Sequence, residues 1–481
     1  MGLGPLLRLR AERLHMKLTM GEVAAFLGAP CGVANRPVAG YSIDSRSLAP
    51  GQLFFAIRGP RFDGHQFVGQ ALDRDAAGVV VDAAFYASAP LEWQPALIAV
   101  ADTQSALQML GLAVRRKWGK RLVAVTGSTG KSTTKEMIAA ILSRRLHVFR
   151  SPGNLNNDFG VPLALLGLEP EHDVAVMELA MSASGEIARL ARLAEPQIGV
   201  VTNVAAAHLQ FFDSVDAIAL AKRELIDYLA TTGPSAVAVL NEDDERVRKF
   251  AEGFPGRVST FGFSEKADFR ALEAKWDSGV QSWLRVITAS WAAEFTLPLP
   301  GRHNVQNALA AIAVASVFDI PPEEIGPALA GFKNLHQRSE ILTLLGEVTI
   351  INDCYNSNPL AMESMLDTLA GWPGARRRIV VAGEMLELGP TSPELHRGVG
   401  RKCAASGVDW LIAVQGAAEF FLEGAVEGGL PLSHTRFFPD AKSAGEMCRA
   451  LLEPGDVVLV KGSRGVHLET VIEMLKSGSE K

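Results

Sequence analysis

The chain has 481 residues, more than one hydrophobic core usually serves, so two or three domains are expected. Its formal net charge is -6 and no long basic run stands out, which excludes non-specific nucleic-acid binding but leaves room for anionic small substrates held by a few local Lys and Arg. Four widely spaced cysteines with no C-x-x-C pair exclude a disulfide framework and a cysteine zinc site, and no run approaches the roughly 18 apolar residues of a membrane span, so a cytoplasmic protein with no membrane association is expected.

Regular periodicity begins near Lys17. Residues 1–16 are therefore read as an N-terminal extension, with Met16 as an alternative start. From there, short apolar runs alternate with helical patterns, the signature of α/β units with parallel strands. Strands are expected at 122–126, 174–178, 198–202, 236–240, 379–382, 411–414 and 457–460, and helices at 105–117, 132–143 and 304–318. A less regular, strand-like stretch covers 258–300. A proline-containing stretch before the helix at 105–117, and a new strand–helix alternation from about Leu335, divide the chain into 17–102, 103–334 and 335–481, the last with a Rossmann-like pattern.

The most informative local motif is Thr126-Gly127-Ser128-Thr129-Gly130-Lys131-Ser132-Thr133, placed between an apolar strand and a helix. Glycines let backbone N–H groups turn towards a phosphate, and the helix N-terminus adds a favourable dipole. Lys131 can neutralise β- and γ-phosphate charge while the Ser132 hydroxyl joins a magnesium shell. Val125 stands where the general G-x-x-x-x-G-K-[ST] pattern has its first glycine. A glycine turn capping a helix is the bland alternative; the strand before it and the helix after it favour a nucleotide site.

The shorter form, G-x-x-G-K-S-T-T-K-E, resembles the phosphate loop of the Mur ligase family. The resemblance extends over nearly the whole chain from Lys17. DSR (44–46) with PGQLFFAIRGPRFDGHQF is followed in order by GNLNNDFGVPLALL (153–166), MELAMSASGEI (177–187), NVAAAHLQFFDS (203–214), AKRE (221–224), PGRHNVQNALAA (300–311), DCYNSNPLAMESML (353–366), GEMLELG (383–389) and VKGSRG (460–465). It implies an α/β chain of three domains: a small α/β UDP-binding domain, a central P-loop-type domain with a mostly parallel sheet that binds ATP, and a C-terminal Rossmann-like domain. It also implies a reaction. ATP phosphorylates the terminal carboxylate of UDP-N-acetylmuramoyl-tripeptide, and the amine of D-alanyl-D-alanine attacks the acyl phosphate, giving the pentapeptide precursor of peptidoglycan. A monomer is the default expectation.

The resemblance carries over residue by residue. Gly127, Ser128, Thr129, Gly130, Lys131, Ser132 and Thr133 would cradle the phosphates. Glu178, at the end of an apolar strand, would bind a first magnesium ion with Ser132, and His208 would serve a second metal site although hard cations prefer oxygen. Lys222 would be carbamylated, which turns an ammonium into an anionic oxygen ligand. Asn304 and Asn307, three apart on one helix face, would meet adenine, and Arg338 and Asp353 would reach the nucleotide's phosphate and ribose. Ser45 and Arg46 would bind uridine diphosphate; Asn154, Asn156 and Asn157 would line the muramoyl-peptide side. Tyr355, Asn356 and Asn358 lie in YNSNP, and Lys461 and Arg464 would face phosphate or a substrate carboxylate. Each has a plainer reading: a strand-end salt bridge for Glu178, a structural histidine, a solvated lysine, a helix cap at Asn304, turns for the loop asparagines.

Two segments depart from the pattern. MSASGEI replaces a glycine- and asparagine-containing stretch and is expected to alter the fit of the incoming amine; GEMLELG carries Glu384 where aspartate is usual. A sister ligase adding the third peptide residue, a folylpolyglutamate synthase and a non-catalytic nucleotide-binding regulator are the competing readings. YNSNP and AAAHLQFFDS speak against the first two. No DNP motif for diaminopimelate recognition is present, and lysine or diaminopimelate as the third residue of the accepted tripeptide is left open.

Overall fold

The computed structural model describes residues 17–59, 62–276, 281–344 and 346–477. The extension expected over residues 1–16 and the last four residues of the third segment lie outside the described residues. The chain divides into two compact units: residues 1–124, 145–181 and 185–198, and residues 125–144, 182–184 and 199–481.

The first unit carries a four-stranded, wholly parallel sheet in the order Gly40–Ser42, Gln52–Phe55, Gly78–Asp82, Leu97–Val100. Its strands are short apolar runs such as Val79-Val80-Val81, which bury both faces as parallel sheets require. The helix Thr103–Trp118 follows. Asp102 caps it by accepting from the Ser105 amide at 2.7 Å, and Gly119 ends it in the left-handed region at φ +67°. Its buried Arg115 donates to the carbonyls of Ala194 (2.6 Å) and Glu195 (2.8 Å), satisfying the last turn of the helix Glu186–Ala194. Strands Val148–Arg150 and Val174–Glu178 pair in parallel in the same unit, the second buried along its whole length.

The second unit holds Val237–Asn241, Arg257–Gly262, Phe269–Trp276, Ser282–Ile287 and Ala292–Leu297 side by side in that order. The first pair is parallel; the last two pairings are antiparallel, with a register shift between Ala271 and Glu273. The strand-like stretch expected over 258–300 is thus a run of real strands. Alternating exposure along them, Ser282 and Leu284 buried against exposed Arg285, blurred the pattern by comparison with the doubly buried parallel strands. The helix Arg302–Val317, alanine-rich and buried from Val305 to Ala315 on nearly every side, packs on the helix Lys131–Leu142.

A six-stranded sheet ends the chain in the order Glu340–Leu344, Val348–Asn352, Asp456–Lys461, Arg377–Gly383, Trp410–Val414, Thr435–Phe438, antiparallel only at its first pair. Helices cover both faces. Met362, Leu366, Leu369, Val399, Cys403 and Phe421 fill one core, and Ala444, Cys448, Val471 and Leu475 fill the other. This is the expected Rossmann-like doubly wound arrangement. Its middle strands deliver Asp353, Lys461 and Glu384 at or just beyond neighbouring carboxyl ends, where such sheets place ligands. Among the described residues no helix is long and apolar enough to cross a membrane.

Candidate active site

The phosphate loop is shaped by two crowded glycines. Gly127 has φ +146°, and a Cβ there would lie 1.9 Å from Thr202 Oγ1; Gly130 has φ +79°, and a Cβ there would lie 2.3 Å from Asn307 Oδ1. Only glycine fits either place. The segment after the strand Ile198–Val201 pins the loop. Thr202 Oγ1 donates to the Thr129 carbonyl (2.6 Å), Asn203 Oδ1 accepts from the Thr129 amide (2.9 Å), and the Ser128 amide donates to the Asn203 carbonyl (2.9 Å). Ser128 Oγ accepts from the Ala205 amide at 2.9 Å. Lys131 Nζ folds back to the carbonyls of Gly127 (2.9 Å) and Ser128 (3.3 Å), so the cation lies over the loop that would hold the phosphates. Thr133 and Thr134 are buried in the first turn of the helix that Gly130 caps.

Lys222, on the helix Val215–Thr231, is 2% exposed. Burial first, and the nearby Lys131 second, push its ammonium well below the ordinary lysine range. A buried amine facing another cation gains nothing from being charged. Glu178, at the last position of its strand in the first unit, is 3% exposed, and its Oε1 accepts from Asn156 Nδ2 at 2.9 Å.

The three asparagines before it differ in role. Asn157 Oδ1 accepts from the Gly160 amide at 2.9 Å and so holds the start of the helix Gly160–Leu165; Asn156 orients Glu178; Asn154 is exposed. In the four-stranded sheet region, Ser45 is buried, while Arg46 is exposed and clamps Asp44 through two contacts of 2.9 and 2.7 Å. The Arg46 side chain holds the Asp44 carboxyl down to about 2.

Asn304 and Asn307 are buried and mostly engaged inside the second unit. Asn304 Nδ2 donates to the Pro300 carbonyl (2.8 Å), and Asn307 Oδ1 accepts from the Thr134 hydroxyl (3.2 Å). The plainer reading of Asn304 as a helix cap fails: Gly301 occupies that position. One donor on each amide and further lone pairs remain for a base edge. Beyond them, Lys461 Nζ lies 2.5 Å from Asp353 Oδ2 and donates to the Asn356 carbonyl (2.9 Å), while the Ser339 amide donates to Asp353 Oδ1 (2.7 Å). The Arg338 guanidinium lies over the Tyr355 ring at 4.1 Å, and Arg464 donates to Gln337 Oε1 at 2.6 Å. Asn358 is the cap of the helix Pro359–Ala370, accepting from the Ala361 amide. His208 Nδ1 lies 2.5 Å from Glu387 Oε2.

Three family models match the chain: the Mur ligase middle domain over residues 125–315, the Mur ligase glutamate ligase domain over 337–464, and the Mur ligase family catalytic domain over 37–118. A UDP-N-acetylmuramoyl-tripeptide–D-alanyl-D-alanine ligase of Bacillus subtilis is 34% identical over 91% of this chain and 93% of its own. The crystal structure of MurF from Acinetobacter baumannii superposes with a TM-score of 0.86 at 30% identity, covering 96% of this chain and 99% of that one. The chain belongs to the Mur ligase family. A further relative in structure, the MurF ligase of Thermotoga maritima in complex with ADP, matches with a TM-score of 0.80 at 27% identity over 92% of this chain and 98% of its own.

The two departures of this Mur ligase have local explanations. Glu384 Oε1 accepts from the Ala417 amide at 3.0 Å, and a Cβ on Gly416 would lie 2.2 Å from its Oε2. The Glu384 carboxylate thus reaches the turn Gly416–Ala418 after the neighbouring strand Trp410–Val414, inside the C-terminal sheet domain. In MSASGEI, Ser184 Oγ donates to Glu224 Oε1 (3.2 Å), a carboxylate of the AKRE segment. Sequence reasoning missed two residues. Glu387 lies inside GEMLELG, where its residue type alone signals no role. His303 has a buried Nδ1 with no hydrogen-bond partner among the described residues, and burial pushes it down to about 4, with Asp353 and Lys461 acting on it in opposite directions. Its position beside Asn304 in RHN was the signal available.

Proposed function

We propose that this Mur ligase joins D-alanyl-D-alanine to UDP-N-acetylmuramoyl-tripeptide at the expense of ATP. The observation that carries the reading is the phosphate loop, with Lys131 folded over it and a buried Lys222 whose charged form burial and Lys131 disfavour, in a chain one-third identical along nearly its whole length to a relative of that name.

In the proposed first step a tripeptide carboxylate oxygen attacks the γ-phosphorus of ATP and ADP leaves. Two anions must approach, so charge neutralisation sets the barrier. Lys131 exchanges its loop carbonyls for β- and γ-phosphate oxygens, and loop amides and the helix N-terminus add fixed donors. In the second step the amine attacks the acyl carbon, inorganic phosphate leaves, and the amine loses its proton. Exclusion of water protects the acyl phosphate meanwhile.

Magnesium supplies further neutralisation of the phosphate oxygens when bound. The donor chemistry fits it: Glu178 is a buried carboxylate, Ser132 a hydroxyl at the loop's end, and Lys222 an amine whose charged form burial disfavours. An uncharged amine is the form that adds CO₂, releasing one proton and leaving a carbamate whose oxygens suit a hard cation. His208 is the proposed nitrogen ligand. Asn304, Asn307, Arg338 and Asp353 would hold the nucleotide, Ser45 and Arg46 the uridine diphosphate, Asn154 and Asn156 the peptide side, and Tyr355, Asn356, Lys461 and Arg464 the phosphate or carboxylate end. Asn157 and Asn358 are proposed to support those loops as well, since Asn157 Oδ1 accepts from the Phe159 and Gly160 amides and Asn358 caps its helix. We place the domain boundaries near residues 102 and 334, and the enzyme in the cytoplasm as a monomer.

The test measures phosphate release with ATP, magnesium and UDP-muramoyl-tripeptide. Release that requires D-alanyl-D-alanine and is not supported by single amino acids is expected. Release without any amine would replace the ligase with a plain ATPase.

A further inference from the structure

The contact between His208 and Glu387 joins residues 179 positions apart. One lies in NVAAAHL and the other in GEMLELG, after the strand Arg377–Gly383 of the C-terminal sheet. Further features mark the same junction. The Gln210 amide donates to the Glu387 carbonyl at 2.9 Å, and the Phe211 amide to the His208 carbonyl at 2.9 Å. His208 has φ +62° and Glu387 has φ +63°, both in the left-handed region that non-glycine residues seldom occupy, and a Cβ on Gly389 (φ +58°) would lie 3.2 Å from Gln210 Cα. Two uncommon backbone conformations facing each other across one hydrogen-bonded pair mark a junction its surroundings over-determine.

An ionised carboxylate can only accept, so Glu387 dictates that His208 Nδ1 carries a proton. In a neutral ring the lone pair is then on Nε2, pointing the ring's acceptor away from Glu387. A histidine side chain free in water favours the opposite tautomer. We propose that Glu387 is a positioning residue: docked with the C-terminal sheet domain, it fixes the tautomer and ring orientation of His208, so that Nε2 is offered as an acceptor only when that domain is in place. This rests on the ligase reading for what Nε2 serves, but not for whether Glu387 controls it. Carboxylates that orient a metal-ligating histidine in this way are worth about tenfold to a hundredfold in metal affinity or activity.

The experiment uses the full chain with ring-¹⁵N-labelled histidine, assigning the His208 signals by their loss in His208→Gln. At a pH high enough for the ring to be neutral, the parent is expected to show His208 protonated at Nδ1, with Nε2 unprotonated, and Glu387→Ala a mixture dominated by the Nε2-protonated form. Glu387→Gln, whose amide oxygen still accepts, is expected to restore the parent tautomer in large part. In the ligase assay Glu387→Ala should lower kcat by tenfold or more with KM for D-alanyl-D-alanine within about threefold, and Glu387→Gln should fall between the two. Thermal unfolding of both variants near the parent midpoint confirms they are folded. An unchanged His208 spectrum in Glu387→Ala overturns the proposal. So does a Glu387→Gln protein as impaired as Glu387→Ala with the parent tautomer intact. A parent protein with no amine-dependent phosphate release would instead sink the ligase reading, leaving the spectrum to judge Glu387 alone.

Discussion

Gly130 and Asn307 occupy what is in effect one space: a methyl group on the first would sit 2.3 Å from the side-chain oxygen of the second. Asn307 cannot simply withdraw, because Thr134, one turn beyond Gly130, donates to that same oxygen at 3.2 Å. The phosphate loop and the helix Arg302–Val317 are therefore shaped against each other. Gly130→Ala is expected to cost about 1–3 kcal/mol in urea unfolding, from the left-handed backbone and the clash together. It should also weaken nucleotide binding. Asn307→Ala removes the obstacle, so the double variant should lose at least 0.5 kcal/mol less than the sum of the singles, on the usual scale of coupled neighbours. Strict additivity would show that the two residues do not compete for space.

Lys222 offers a pH test with a definite sign. Its folded-state proton is released below the ordinary lysine range, by burial first and Lys131 second, while in the unfolded chain it is held to about 10.4. The unfolded state then binds the extra proton, so the stability of the parent rises with pH across that window. In CO₂-free buffer, Lys222→Met is expected to unfold at higher urea than the parent at neutral pH, and the gap should narrow as pH climbs towards 10. Bicarbonate should raise the stability of the parent alone, with a ¹³C-labelled carbamate visible by NMR. Lys222→Ala should lose ligase activity and recover part of it with short carboxylates. A parent indifferent to bicarbonate, with no labelled carbamate, would remove the modification.

Much of this was legible in the sequence, and the reason is physical. Parallel strands buried on both faces read as unbroken apolar runs, so the strand Val174–Glu178 was found to the residue and Arg121–Thr126 to within one. Both end on the residues expected at the nucleotide site. The phosphate loop was legible because its glycines, lysine and hydroxyl are contiguous. Contacts at long separation left no such trace. Nothing in the order of residues says that Asp353 meets Lys461 across 108 positions, or His208 meets Glu387 across 179. Nor does a polar residue type reveal whether its side chain faces a ligand or closes a turn. Asn157 and Asn358 looked like Asn154 and Asn156, yet the amides of Gly160 and Ala361 claim their oxygens.

The Asp353–Lys461 pair is buried, with side chains 15% and 2% exposed. Removing one partner strands the other charge, which typically costs about 3–5 kcal/mol. Lys461→Met should therefore destabilise strongly in urea unfolding, and Asp353→Asn/Lys461→Met together should cost less than the two singles added. His303 provides an independent reading of the same field. Lys461 lowers its proton affinity and Asp353 raises it, so Lys461→Met should move the His303 titration upwards from about 4 when followed by NMR. No movement would mean that the three groups do not share a site.

Tyr355 should tune nucleotide binding through Arg338 rather than through its hydroxyl. The guanidinium carbon of Arg338 is 4.1 Å from the ring centroid and that of Arg464 is 5.9 Å, while the Tyr355 amide donates to the carbonyl of Gln337, whose side chain receives Arg464. The ring face is a negative surface that holds a planar cation in one orientation. Tyr355→Leu keeps apolar bulk and removes that surface. A loss of about 0.5–2 kcal/mol is expected, read as KM for ATP rising from about twofold to thirtyfold with kcat at saturation within twofold. Tyr355→Phe keeps the face and should behave as the parent does. If Phe proved as damaging as Leu, the hydroxyl would be the working group and the stacking incidental.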